Sequence, residues 1–285
     1  MTTLLHVGPH KTGTTTIQRG FWSRRDALLD QGALYPEAFS NQGAHHPLAR
    51  AMAQPRSRIS RDVIAALSEE LSDTGAERLV LSSEAFSKWS APVAREACRE
   101  FSRFGEVRPV IVFRRRGDWA FSLFKENVKR GTRLGLLTFG EFCESIRPRL
   151  DYDKIVRRWT EAAGTAPIVH SFEALRGSGD LVSSFAASIG LVVDGLESGR
   201  MWNVAMDDAA TVRVWRLNRA MSRGLNVPPR VRKWLLSASR TPSTARRRAV
   251  ARFVDVLAVG SPFDRQDAQT VTELNQLPFP EQALS

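Results

Sequence analysis

Leu4-Leu5-His6-Val7-Gly8-Pro9-His10-Lys11-Thr12-Gly13-Thr14-Thr15-Thr16-Ile17 is the stretch that decides how this chain folds. Leu4 to Val7 is an apolar run with the length of a buried strand. A turn rich in glycine and threonine follows. A helical pattern then runs from about Thr14 to Leu29, with Ile17, Phe21 and Leu28 on one face. A strand that turns sharply into a helix gathers several backbone N–H groups, and the positive end of the helix dipole, around one point. A phosphate or sulfate group fits there. A glycine-rich turn with incidental threonines is the competing reading.

The same alternation continues downstream. Ala33–Phe39 reads as a short extended segment, and the polar loop Ser40–Gly43 leads to His45-His46. A helical pattern covers Arg61–Leu71, and Leu79–Ser82 is a second buried strand running into Ser83-Glu84. A helix over about Val93–Phe104 precedes the strand Val110–Phe113, which ends at Arg114. Asp118 is placed to cap the next helix. Strand alternating with helix predicts an α/β fold, a parallel β-sheet flanked by helices on both faces. Such sheets bind ligands beyond the carboxyl ends of their strands, and Lys11, Glu84 and Arg114 all follow strands at that edge.

The nearest familiar pattern for the first loop is the nucleotide-binding P-loop, glycine, four residues, glycine, lysine, then serine or threonine. Gly8 and Gly13 have the right separation. Thr14 stands where the lysine belongs, and Lys11 sits three residues earlier, inside the loop. Thr15 fills the position of the Mg²⁺-binding hydroxyl, but no aspartate closes a second apolar strand as a triphosphate enzyme requires.

Lysine, a small polar residue, glycine and two threonines at a strand–helix junction resemble the PAPS-dependent sulfotransferases, PAPS being 3′-phosphoadenosine 5′-phosphosulfate. The resemblance implies that Lys11, Thr12, Gly13, Thr14 and Thr15 grip the 5′-phosphosulfate, with Lys11 at the bridging oxygen. It also implies that Arg114 and Ser122, eight residues apart, bind the 3′-phosphate. A phosphate dianion calls for a guanidinium fork and a hydroxyl donor. Arg115 and Arg116 read as solvated or paired with acidic neighbours. Weaker echoes cover Leu150 to Trp159, Pro167 to Leu175 and Leu181 to Leu191, so the likeness runs from residue 4 to about 191. The family's C-terminal arginine-lysine-glycine loop has no recognisable counterpart here.

In-line sulfuryl transfer needs neutralisation of the leaving phosphate and a base for the acceptor's proton, and needs no metal. Lys11 is expected to do the first. Glu84 is the first choice for the base, with His46 and Glu37 as rivals; His45 neighbours His46, and His10 is expected to shape the loop. Capping by Ser82 or Ser83 is the plainer role for Glu84. For the acceptor, carbohydrate, glycolipid and small phenolic or alcoholic metabolite all stay open at this point.

The chain has 285 residues, enough for one sulfotransferase-like domain: an α/β core to about 195, a helical annex over about 196–277, and a loose tail, 278–285. Cys98 and Cys143 lack metal or redox spacing and read as buried thiols. No signal peptide precedes the first strand, and no apolar run approaches the ~20 residues of a membrane span, which favours a cytoplasmic enzyme.

The net charge of +11 is uneven. Between Asp208 and Asp255 there is no acidic residue, while Arg213, Arg216, Arg219, Arg223, Arg230, Arg232, Lys233, Arg240, Arg246, Arg247, Arg248 and Arg252 all occur. Pro228-Pro229 and Thr241-Pro242-Ser243 divide the region into short helices. It reads either as a surface for an anionic partner or as a solvated helical face. No nucleic-acid motif accompanies it. Two other functions remain in view: a P-loop nucleotide or small-molecule kinase, and a non-catalytic anion-binding or membrane-surface module.

Overall fold

The computed structural model describes residues 1–54, 56–193, 206–224, 228–240, 244–245, 247–248, 252, 261–263 and 266–280. Thr241-Pro242-Ser243, Arg246, Asp255 and 281–285 lie outside them. Five strands, β1 (Thr2–His6), β2 (Ala33–Leu34), β3 (Arg78–Ser82), β4 (Glu106–Phe113) and β5 (Ile168–Ser171), form one sheet in the order β2-β3-β1-β4-β5. Every pairing is parallel. The helices are α1 (Thr14–Trp22), α2 (Arg25–Leu29), α3 (His46–Met52), α4 (Arg58–Thr74), α5 (Ala91–Phe101), α6 (Arg116–Arg130), α7 (Phe139–Ile146), α8 (Tyr152–Ala163), α9 (Phe172–Gly177), α10 (Leu181–Ser188), α11 (Asp208–Ser222), α12 (Pro229–Arg240) and α13 (Asp267–Gln276).

Alternate residues of each strand feed two cores, as a period of two requires. Leu5, Leu79, Leu81, Ile111 and Phe113 face a core completed by α4, α5 and α8. Leu4, Val80, Val110 and Val112 face a second core with Ile17, Phe21, Val182 and Phe185 of α1 and α10. Helices therefore cover both faces, the architecture expected from the sequence.

The chain groups into two compact units. The first is Met1–Arg115 with Asp151–Trp202 and Pro278–Ser285, and holds the sheet; the second is Arg116–Leu150 with Asn203–Leu277. Residues 116–150, expected within the α/β core, belong with the second unit. Its core gathers Trp119, Phe124, Phe139 and Phe142 with Val214 and Trp215 of α11. No helix among the described residues is long and apolar enough to cross a membrane.

Several local expectations are corrected. The helix expected from Thr14 to Leu29 breaks after Trp22, where the Ser23 hydroxyl donates to Gly20 O at 3.0 Å and Arg24 leaves helical geometry. Asp118 is not a cap. α6 starts two residues earlier, and Asp118 accepts from Asn275 Nδ2 at 3.1 Å. Arg116 is not solvated: it is 5% exposed, and its guanidinium donates to the carbonyls of Leu150 and Leu277. Arg115 is exposed and pairs with Glu173. The start of the expected loose tail is packed, with the Phe279 ring 6.3 Å from that of Tyr152. Cys98 and Cys143 are both buried free thiols, and burial pushes each up to about 12.

Candidate functional site

Because all five strands are parallel, the segments after β1, β3, β4 and β5 emerge at one edge of the sheet. The register sets His6 beside both Ser82 and Val110. The loop after β1 therefore lies between Ser83-Glu84 on one side and the end of β4 on the other. Val7 donates to Val110 O at 2.9 Å and Ser83 to His6 O at 3.2 Å, which ties the three exits together.

The loop from Gly8 to Gly13 is held in shape by close approach. A Cβ on Gly8 would lie 3.0 Å from His6 Nε2 and 3.1 Å from Thr12 Oγ1. Gly13, at φ 78°, is the N-cap of α1, and a Cβ there would collide with Leu181. The Thr12 hydroxyl donates to Pro9 O at 2.8 Å across the loop. Lys11 itself has φ 72°, a left-handed conformation that non-glycine residues avoid. Thr14 and Thr15 start α1, whose side chains supply no cap. The first-turn N–H groups of α1 are thus directed at the loop, the arrangement that receives an anion.

Arg114 joins this loop from the β4 side. Its Nη1 donates to Lys11 O at 3.4 Å, its Nε lies 3.8 Å from Glu173 Oε1, and its guanidinium sits 5.4 Å from the centre of the Phe172 ring. Its carbonyl accepts from the Tyr152 hydroxyl at 2.7 Å, and that ring stacks on Phe113 at 4.0 Å. Arg114 Nε is buried and makes no hydrogen bond. Glu173 reaches back to accept from the backbone N–H of Arg115 at 3.3 Å. Lys11 and Arg114 thus belong to one constellation. Ser122 lies on α6, in the second unit.

On the β3 side stands a carboxylate with three partners. Glu84 lies 3.4 Å from His10 Nδ1 and 3.5 Å from His46 Nε2, and accepts from Gln18 Nε2 at 3.1 Å. Burial alone would raise its pKa. The hydrogen bond from His10 and the charges of His46 and His10 outweigh that and bring the Glu84 carboxyl down to about 2. The other ring nitrogen of His46 is 2.7 Å from the Ser83 hydroxyl, which fixes the ring. Ser83 Oγ also accepts from the Ala85 N–H at 3.2 Å, which closes the local turn without Glu84.

Below this layer two histidines are neutral by burial. His45 Nδ1 accepts from the Ser82 N–H and its Nε2 donates to Pro36 O; burial lowers it to about 4. Both its nitrogens are used, and it serves the fold. His6 is lowered by burial to about 4, bonds Ser82 Oγ through Nδ1 at 2.8 Å, and keeps an unpartnered Nε2 under the loop.

Of the residues nominated from the sequence, Lys11, Thr12, Gly13, Thr14, Thr15, Arg114, Glu84 and His46 come together at this sheet edge. Glu37 does not join the carboxylate cluster: it is exposed and pairs with Arg25 at 2.6 Å. Sequence reading missed Gln18 and Glu173, and it gave His10 a loop-shaping role where the structure adds an ion pair. Among the described residues no group of three or more His, Cys, Asp or Glu could hold a metal ion.

No family model matches the chain, and no curated protein does. Among solved structures, the chain resembles the crystal structure of a sulfotransferase from Alicyclobacillus acidocaldarius at 18% identity and a TM-score of 0.41, covering 76% of this chain and 95% of that one.

Proposed function

We propose that the chain is a sulfotransferase that moves the sulfuryl group of PAPS to a hydroxyl or amine of an acceptor by in-line transfer. The observation that carries this reading is the docking of Arg114 on the Lys11 carbonyl, which brings a guanidinium to the loop that carries Lys11, with the Glu84–His46 pair on the loop's other flank. The residues fit the donor: a tightly packed glycine turn at the start of α1, a buried guanidinium nitrogen without a hydrogen bond, and helix N–H groups free of side-chain caps.

PAPS supplies the sulfuryl group and leaves as adenosine 3′,5′-bisphosphate. Lys11 and the N–H groups at the start of α1 hold the 5′ end and neutralise the charge that develops on the leaving phosphate. Arg114 binds the 3′-phosphate as a guanidinium fork. On the acceptor side His46 takes the proton, and Glu84, ionised at every pH above about 2, stabilises the resulting imidazolium and holds it in place. Glu84, 3.4 Å from His10 and 3.5 Å from His46, is placed as the counter-charge. No metal is assigned, and the reading suits the cytoplasm, where PAPS is made.

Two measurements test the proposal together. Adenosine 3′,5′-bisphosphate should raise the melting temperature without Mg²⁺, and ³⁵S-labelled PAPS should pass its label to an acceptor pool. Stabilisation by ATP–Mg²⁺ with none by the bisphosphate would replace the proposal with a kinase. Salt-sensitive vesicle binding with no transfer of label would replace it with a surface module led by the basic region. Within that region, Arg213 Nε is already committed to Ser239 O at 3.1 Å and Arg219 lies over the Trp215 ring.

A further inference from the structure

A cavity of about 240 Å³ opens between the first two turns of α1 and the turn 41–44, with His46 on its wall. Its lining is Thr15, Gln18 and Arg19 from α1, Asn41, Gln42 and Ala44 from the turn, and His46. Thr15, Gln18 and Arg19 share one helix face by their spacing. Gln18 and His46 are the residues that touch Glu84, so the cavity ends at the proposed proton acceptor.

The far wall is a rigid device. Asn41 and Ala44 exchange backbone hydrogen bonds of 2.9 and 3.0 Å, and both residues between them have positive φ, 51° at Gln42 and 84° at Gly43. Positive φ at both central positions marks a type I′ turn. The Tyr35 hydroxyl donates to Gly43 O at 2.6 Å. A Cβ on Gly43 would fall 2.7 Å from Gln18 O, so the turn rests directly on α1. Asn41 and Gln42 are exposed, and their side chains make no hydrogen bond among the described residues.

Resting on the sulfotransferase reading, we infer that this cavity is the acceptor site and that its acceptor is a single polyhydroxylated ring, a sugar or cyclitol unit. Three lines of chemistry point that way. Three carboxamides and a threonine hydroxyl offer both donors and acceptors, which suits vicinal hydroxyls. No Phe, Tyr or Trp lines the cavity, so a phenol or other flat aromatic finds no stacking surface. No carboxylate lines it either, so an ammonium acceptor lacks a counter-charge, while Arg19 tolerates an acidic substituent. The volume falls below the ~300 Å³ at which drug-sized sites begin, so one ring fits.

The test uses the full chain and two readouts. Saturation-transfer NMR measures binding of methyl hexosides, a methyl hexuronide and myo-inositol, against 2-naphthol and tyramine, with and without adenosine 3′,5′-bisphosphate. Label transfer from ³⁵S-PAPS then ranks the same compounds. Polyols are expected to bind and to accept, and Gln42→Ala and Asn41→Ala are each expected to raise the polyol KM about tenfold, the effect of one lost hydrogen bond, with bisphosphate affinity unchanged. Binding or sulfation of naphthol or tyramine without the polyols overturns the acceptor class, as does the absence of polyol binding to the bisphosphate complex. Absence of bisphosphate binding instead overturns the donor reading, and polyol binding measured without nucleotide still decides the cavity.

Discussion

Replacing Glu84 by glutamine keeps the shape of the side chain and removes its charge. In the folded protein the carboxyl stands at about 2 against an ordinary 4.5, and that difference is about 3 kcal/mol of preference for the ionised form. A carboxyl depressed by folding stabilises the native state above its unfolded value, and the contribution disappears as pH falls through the folded value. The contribution is therefore whole above about pH 5 and lost by about pH 2. Glu84→Gln should cost about 3 kcal/mol at pH 7, and the variant and wild-type curves should close on each other toward pH 2, where half of the wild-type carboxyl is neutral in the folded state, and meet below it. Other carboxylates with lowered values, Glu96, Glu141 and Glu144, are present in both proteins and cancel in the difference. Urea unfolding followed by tryptophan fluorescence at pH 7, 4.5, 3 and 2 measures it. A gap that stays constant across the series refutes the argument, because the folded site would then not favour ionised Glu84. In the same variant kcat should fall on the order of 100-fold, since the proton-accepting imidazole loses its counter-charge.

Lys11→Ala should lower kcat by about two orders of magnitude, the effect of one lost donor at a developing anion, with the circular dichroism spectrum unchanged; near-normal turnover would remove Lys11 from the mechanism. Arg114→Ala should weaken adenosine 3′,5′-bisphosphate about 10- to 100-fold by calorimetry, and Arg114→Lys should recover only part, because a point charge replaces a fork. Gly13→Ala should destabilise the protein by about 2–4 kcal/mol in urea unfolding, combining a left-handed backbone with the collision at Leu181. His45 and His6, lowered to about 4 from 6.5, bind protons more readily when unfolded, so each should remove up to about 3 kcal/mol of stability as pH falls from 6.5 to 4. A flat stability curve over that window would show that neither is buried as described.

The sheet was legible because its central strands are buried on both faces and appear as unbroken apolar runs, Leu79–Ser82 and Val110–Phe113. Their ends located Lys11, Glu84 and Arg114 at one edge. Pairing across the chain was not legible. The Glu84–His10 contact spans 74 positions and arises from the parallel register that sets His6 against Ser82, which no local pattern encodes. Arg116 was misread for a related reason: a charge reading looks for counter-charges, and this guanidinium is satisfied by two backbone carbonyls from distant segments. The break after Trp22 left no trace in the periodicity, because Leu28 continues the same apolar spacing as Ile17 and Phe21.

Lys11 occupies a backbone conformation in which glycine would sit more comfortably by about 1 kcal/mol. The cation is thus held where the main chain resists it. Selection for thermal resistance alone would favour glycine at this position, and on the proposed mechanism the sturdier protein would lack the cation that turnover needs. At residue 11 the proposed mechanism sets robustness against catalysis.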